Sequence, residues 1–285
     1  HHLAFRRQRQ MCIRDSVITP NYQSSETIPN SICDVTGVSL ESDNDWNLNI
    51  QKILDAIKQN TRLIAINFPH NPTGKVISKE KLNTLIEISR KHGIYLFSDE
   101  VYRLMERKEE IRLPQIADIY EKGLSLNVMS KAYGLPGLRI GWIASKDIEL
   151  LDKMERMKHY LSICNSSPSE LLSIIALKSS KKILERNRKI ISDNLSLLSP
   201  FFEKNKDLFD WKIPDGGCIG YPKYLGDESV EVFCENLIEN HSIMLLPSSV
   251  YQSELGATVG DHFRIGYGRI KMKEGLEALE IALDQ

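Results

Sequence analysis

Leu124-Ser-Leu-Asn-Val-Met-Ser-Lys-Ala-Tyr-Gly-Leu-Pro-Gly-Leu-Arg-Ile-Gly-Trp142 is the stretch whose reading decides the fold. Its opening residues form a short apolar run between Gly123 and the turn formers Gly134 and Pro136, the pattern of a buried strand that stops just before Ser130 and Lys131. Residues 138–144 read as one more extended run. Taken alone, a lysine is ordinarily a solvated surface group. Working upstream, residues 94–98 read as a strand that delivers Asp99. The helix before it has Ser78 at the N-cap, Leu82, Leu85 and Ile86 on one face, and Gly93 as its stop. Residues 62–68 form another short apolar strand, which leads into the turn Pro69-His-Asn-Pro-Thr-Gly74 and follows a helix marked by Ile50, Ile53, Leu54 and Ile57. A short helix is predicted between Pro114 and Lys122.

Strands alternating with helices predict an α/β fold with a mostly parallel sheet covered on both faces. In such sheets ligands bind beyond the carboxyl ends of the strands. Asn71, Asp99 and Lys131 each follow a predicted strand, so three reactive side chains from distant parts of the sequence are expected on one rim. Further on, residues 150–163, 169–178 and 181–204 read as helices. The remainder mixes short strands, at residues 242–246 and 262–266, with a terminal helix. The expected organisation is a large domain over 17–190 and a smaller α+β domain over 191–285. Residues 1–16 have neither a helical nor a strand period, nor the apolar core of a secretory signal. They are expected to be a non-native or disordered leader.

Composition narrows the function classes. The 285 residues are 41% hydrophobic and 26% charged, with a formal net charge of -1 and mixed signs along the chain. No broad basic footprint for nucleic acid or anionic lipid is expected, and no apolar run has the length of a membrane helix. The 5 cysteines are scattered without metal-ligand spacing, which predicts no metal site and a reducing, cytoplasmic location.

Four ordered segments, Phe68-Pro-His-Asn-Pro-Thr-Gly74, Ser98-Asp-Glu-Val-Tyr102, Met129 to Trp142 and Phe263-Arg-Ile-Gly-Tyr-Gly-Arg269, together resemble the class I and II aminotransferases, fold type I of the enzymes dependent on pyridoxal 5'-phosphate (PLP). The resemblance runs from about Val17 to the end of the chain. It implies an aspartate-aminotransferase-like fold, PLP as cofactor, an amino acid and a 2-oxo acid as substrates, and a homodimer. Residue by residue, it implies that Lys131 holds the cofactor as an imine and moves the proton at the alpha carbon, and that Asp99 faces the pyridine nitrogen. Tyr102 and Asn71 match the pair on the cofactor's phenolic oxygen, and Tyr22 the aromatic stacked on its ring. Ser130 and Arg139 match the phosphate contacts, and Arg264 the arginine that takes the substrate carboxylate in a two-bond fork. Asn71 also belongs to the substrate site, and its bond to Pro72 is expected to be cis. Arg269 is read as structural, and Gly216-Gly-Cys-Ile-Gly-Tyr221 as lining the substrate entrance.

The pattern departs from the family in two places. Val128 stands where the family usually has a serine or threonine on the phosphate. The family also carries an upstream segment that includes a phosphate loop, so the large domain is expected to lack its N-terminal part. Rival chemistries on the same fold are a carbon-sulfur lyase, which typically has histidine at the position of Tyr102, and a cyclase of the capreomycidine synthase group. That group shares the wording around Phe68, Met129 and Tyr160. A further rival is the aminotransferase-like sensor domain of a transcription regulator.

Overall fold

The computed structural model describes residues 14–257 and 260–284. Its main sheet contains β1 (Arg14–Thr19), β2 (Asp34–Ser39), β3 (Thr61–Asn67), β4 (Tyr95–Asp99), β5 (Gly123–Val128) and β6 (Gly141–Ala144), in the order β2-β1-β3-β4-β5-β6. Every neighbouring pair is parallel except β5 with β6. From β1 the chain steps outward to β2, then returns to add β3 on the other side. The strand order therefore reverses between β1 and β3, and a crevice opens beyond their carboxyl ends.

The connections are α1 (Ser24–Asn30), α2 (Ile50–Ala56), α3 (Lys79–His92) and α4 (Ile116–Ile119), followed after the sheet by α5 (Ile148–Leu161), α6 (Ser167–Lys178) and α7 (Ser180–Lys204). Helix α3 forms for legible reasons. The Ser78 side chain accepts from Lys81 N, Leu82, Leu85 and Ile86 are buried, and Gly93 closes the helix in the left-handed region at φ 67°. Arg90, Lys91 and His92 in its last turn oppose the negative end of the helix dipole. One apolar core, including Ile18, Ile64, Leu85 and Leu96, fills the space between the sheet and its helices.

A second core gathers Leu184, Ile191, Leu195 and Leu198 of α7 with the C-terminal elements. These are β7 (Phe209–Asp210), β8 (Ile219–Gly220), β9 (Lys223–Tyr224), α8 (Val230–His241), β10 (Leu246–Pro247), β11 (Phe263–Gly266) and α9 (Met272–Leu283). Strands β10, β11 and β8 form a small antiparallel sheet. Residue 190 lies inside α7, whose Leu184 already packs into the second core.

Several boundaries differ from the sequence reading. The first strand begins at Arg14, inside the stretch set aside as a leader, and residues 1–13 lie outside the described residues. Arg14 to Ser16 pair with Asp34 to Thr36, and Arg14 bridges Asp34 at 3.2 Å. These polar residues are held by pairing, which leaves no hydrophobic signal. The strand expected at residues 242–246 is reduced to Leu246 and Pro247, because Ser242 is the left-handed cap of α8 and Ile243 N donates to Leu237 O at 2.9 Å. Strand β6 likewise starts only at Gly141, since Pro136–Leu138 form a 3-10 turn and Arg139 takes φ 55°.

Candidate active site

The parallel strands β1, β3, β4 and β5 end on the same edge of the sheet, and the segments that leave them carry Tyr22, Asn71, Asp99 and Lys131 in turn. Asp99 is the last residue of β4 and pairs in register with Asn67, the last residue of β3. Asn67 acts as a splint: its Nδ2 donates to Asp99 O at 2.8 Å, and its Oδ1 accepts from Asn71 N at 2.8 Å. The turn that presents Asn71 is thereby fixed to the strand end that presents Asp99.

His70 ties this turn to β1 across the crevice. Its imidazole is fully buried, with Nε2 2.8 Å from Pro20 O and Nδ1 2.8 Å from the Thr73 hydroxyl. A carbonyl only accepts, so Nε2 carries the proton and Nδ1 accepts from Thr73. Burial lowers the pKa of His70 to about 4, and the ring is neutral. The Asn71–Pro72 bond is cis, as are Thr19–Pro20 and Phe68–Pro69. Gly74, at φ 70°, completes the turn, and a Cβ there would lie 2.5 Å from Pro214, so this segment approaches too closely for any other residue.

Lys131 follows β5 in a loop held by Gly134 N donating to Lys131 O at 2.9 Å and Asn187 Nδ2 donating to Ala132 O at 2.9 Å. Its Nζ lies 5.3 Å from the centroid of the Tyr102 ring. Asp99 is drawn in two directions. Burial raises its pKa to about 6, opposed by the Val101 N–H at 3.1 Å and by the charge of Lys131. Tyr102 is 2% exposed, and burial raises the pKa of its phenol. Its hydroxyl makes no hydrogen bond among the described residues, while Cys218, Arg264, Tyr251 and Asp99 all act on it. Amine, acid and phenol therefore meet at one place.

The C-terminal elements around the second core supply the opposite wall. Arg264 of β11 donates from Nη1 to Asn71 Oδ1 at 3.3 Å, and its guanidinium lies 5.6 Å from the Tyr251 ring centroid. Tyr22, 55% exposed, stands near enough to Tyr251 to act on its phenol. Two of the residues singled out in the sequence are not drawn into this cluster. The Arg139 guanidinium is exposed and donates to Pro136 O at 3.0 Å, and Ser130 is part-buried with no side-chain hydrogen bond among the described residues. Arg269 is exposed, yet its charge reaches Cys218.

Sequence reading gave no role to Asn67, His70 or Tyr251. His70 was visible within a motif, but nothing in the residue pattern announced that Asn67 would splint two strand ends. Tyr251 lies in a 3-10 turn after β10 and carried no signal at all. The donor set nonetheless suits the expected cofactor: a phenol without a hydrogen bond among the described residues, a part-buried carboxylate lacking a full cationic partner, and an exposed amine surround one crevice.

The sequence model of the family "Aminotransferase class I and II" matches residues 17–280. The chain belongs to this family. Among curated proteins it is 24% identical over 271 residues to capreomycidine synthase of Streptomyces vinaceus, covering 92% of this chain and 66% of that protein. It is 29% identical over 237 residues to a probable aspartate aminotransferase of Methanocaldococcus jannaschii, covering 80% of this chain and 60% of the relative. Among solved structures, a PLP-dependent aminotransferase from Streptococcus suis superposes with a TM-score of 0.88 at 32% identity, over 95% of this chain and 71% of that one. The chain thus spans less than two thirds of the length of these two curated relatives. Among the described residues, no helix is long and apolar enough to cross a membrane.

Proposed function

We propose that this class I and II family chain carries the catalytic core of a PLP-dependent aminotransferase that moves the amino group of an amino acid to a 2-oxo acid. The observation that carries the proposal is the meeting of the Lys131 amine, the Asp99 carboxylate and the Tyr102 phenol, with Nζ 5.3 Å from the phenol ring. When bound, PLP supplies an electron sink for the charge left on the alpha carbon.

The protein's own groups do the rest. Lys131 would hold the cofactor covalently and, when free, would carry a proton to and from the alpha carbon. Asp99 would set its negative charge toward the pyridine nitrogen and favour the protonated ring, which in turn would give the part-buried carboxylate a cationic partner. Tyr102 and Asn71 would hydrogen-bond the phenolic oxygen, and Tyr22 would cover the ring. Ser130 and Arg139 would hold the phosphate, for which Arg139 would release Pro136 O. Arg264, already oriented by Asn71, forks to the substrate carboxylate, and its charge-assisted bonds fix which substituent of the alpha carbon faces Lys131. A homodimer and a cytoplasmic location fit this reading.

Borohydride reduction of the PLP-loaded protein followed by peptide mapping tests it. Label on Lys131 is expected, and label elsewhere or none would end the proposal. A second reading, cyclisation of an arginine-derived substrate, has support from the likeness to capreomycidine synthase. It predicts that only arginine derivatives discharge the absorbance of the lysine-bound cofactor.

A further inference from the structure

Cys218 has no part in the chemistry above, yet it stands among the groups that perform it. The segment Gly216 to Cys218 leads into β8 beneath Tyr102. Gly217 adopts φ 82°, and a Cβ there would lie 3.5 Å from Tyr102 Cδ1. Gly217 thus brings backbone of the C-terminal elements close to the phenol ring. Cys218 O accepts from Tyr267 N at 2.8 Å, which fixes the residue beside the continuation of β11. A Cβ at Gly268 would lie 3.2 Å from Cys218 Sγ, so the thiol rests on a second stretch of bare backbone next to Arg269.

The thiol is part-buried and makes no side-chain hydrogen bond to another described residue. Burial pushes its pKa up, against Lys131, Arg264 and Arg269, the charges that act on it most, and it is a neutral thiol at neutral pH. The Tyr102 hydroxyl beside it is an independent sign of a ligand. That phenol belongs to a residue only 2% exposed and makes no hydrogen bond among the described residues, yet its oxygen keeps some accessible surface, so it is free to take a bound group as its partner.

We propose that Cys218 is a specificity-determining residue whose thiol forms the wall against which the substrate side chain packs, and that the cations around it restrict substrates to amino acids with uncharged or anionic side chains. The inference rests on the Lys131 chemistry proposed above. A guanidinium or ammonium group against this wall would meet Arg269 and Arg264 with no carboxylate among the charges that dominate there. An uncharged side chain gains van der Waals contact with sulfur, and an anionic one gains the arginines.

The test uses the PLP-loaded protein and begins with the visible absorbance of the lysine-bound cofactor. Single-turnover loss of that absorbance is followed with alanine, leucine, phenylalanine, glutamate, lysine and arginine, and the two cationic amino acids are expected to be at least about tenfold slower than the best of the others. Cys218→Phe should lower the preference for phenylalanine over alanine by about tenfold or more. Modification of the wild-type thiol by methyl methanethiosulfonate, read at the Cys218 peptide by mass spectrometry, should slow by about tenfold when the best amino acid is present at saturation, a factor comparable to the loss of a pocket contact. This labelling stands even where the phenylalanine variant does not fold. Lysine or arginine reacting fastest, or labelling unaffected by the amino acid, would overturn the inference and leave the Lys131 reading intact. Failure to develop the cofactor absorbance would overturn both.

Discussion

Asp99 makes the cofactor-free protein less stable than its fold allows, and replacing it with asparagine should reveal by how much. Burial at the end of β4 raises its pKa from 3.8 to about 6, with Lys131 and the Val101 N–H opposing the shift. A raised carboxyl favours the protonated form in the folded state, so the associated stability is complete below pH 3.8 and is lost as pH rises through about 6. The difference corresponds to roughly 3 kcal/mol at most, a sizeable part of the margin by which a domain is folded. Asp99→Asn keeps the size of the side chain and its place beside Val101, and removes the charge. Urea denaturation of the cofactor-free wild type should therefore give a lower midpoint at pH 8 than at pH 5, and the variant should lose the share of that dependence due to Asp99, leaving the share of Asp15 and Glu100, whose carboxyls burial also raises. At pH 8 the variant should be the more stable protein by roughly 1 to 3 kcal/mol, from the same linkage. It should also be nearly inactive with PLP, because a neutral amide cannot hold the pyridine nitrogen protonated. A variant as pH-sensitive as the wild type, or less stable than it at pH 8, would refute the claim that burial governs this carboxyl.

Three further predictions follow from other parts of the site. Lys131→Ala should abolish covalent retention of the cofactor, read by borohydride reduction and mass spectrometry, and lower turnover by on the order of a thousandfold or more through loss of the proton carrier. Arg264→Ala should raise KM for both amino acid and oxo acid and lower kcat/KM by about 10- to 100-fold, the worth of a charge-assisted hydrogen bond of about 1.5 to 3 kcal/mol; an unchanged KM would remove Arg264 from the carboxylate site. Burial lowers the pKa of His70 from 6.5 to about 4, so the stability held by the neutral ring is present above pH 6.5 and lost as pH falls through about 4. His70→Ala should destabilise by about 2 to 4 kcal/mol in urea, since the Thr73 hydroxyl and Pro20 carbonyl lose a buried partner and a cavity is left; a loss below about 0.5 kcal/mol, the scale of a surface change, would refute that role.

The division between what could and could not be read beforehand has a physical basis. Asp99, Lys131 and Asn71 were legible because each follows a short apolar run, and a buried strand in a parallel sheet has a definite end. Burial forces the run to be hydrophobic, and the reactive residue is where that pressure stops. The same logic failed at β1, whose first residues, Arg14 to Ser16, are polar and owe their place to ladder pairing and an ion pair. It failed again after α8, where five residues with strand-like side chains were expected to extend. Backbone carbonyls at a helix end need partners more than apolar side chains need a sheet, and Ser242 and Ile243 supply the donors. What no pattern could disclose is the meeting of residues from the two cores. Arg264 reaches Asn71 from 193 residues away, and Cys218 comes near Tyr102 where Gly217 approaches the phenol ring and Gly268 approaches the thiol. Periodicity encodes which face of an element is buried, whereas such meetings depend on how two cores are set against each other. The proposed Lys131 chemistry is therefore legible in the strand ends, and the proposed substrate wall only in the join, where Gly74 admits Pro214 and the turn bearing Asn71 is clasped by Gly216 N donating to Gly74 O at 2.9 Å.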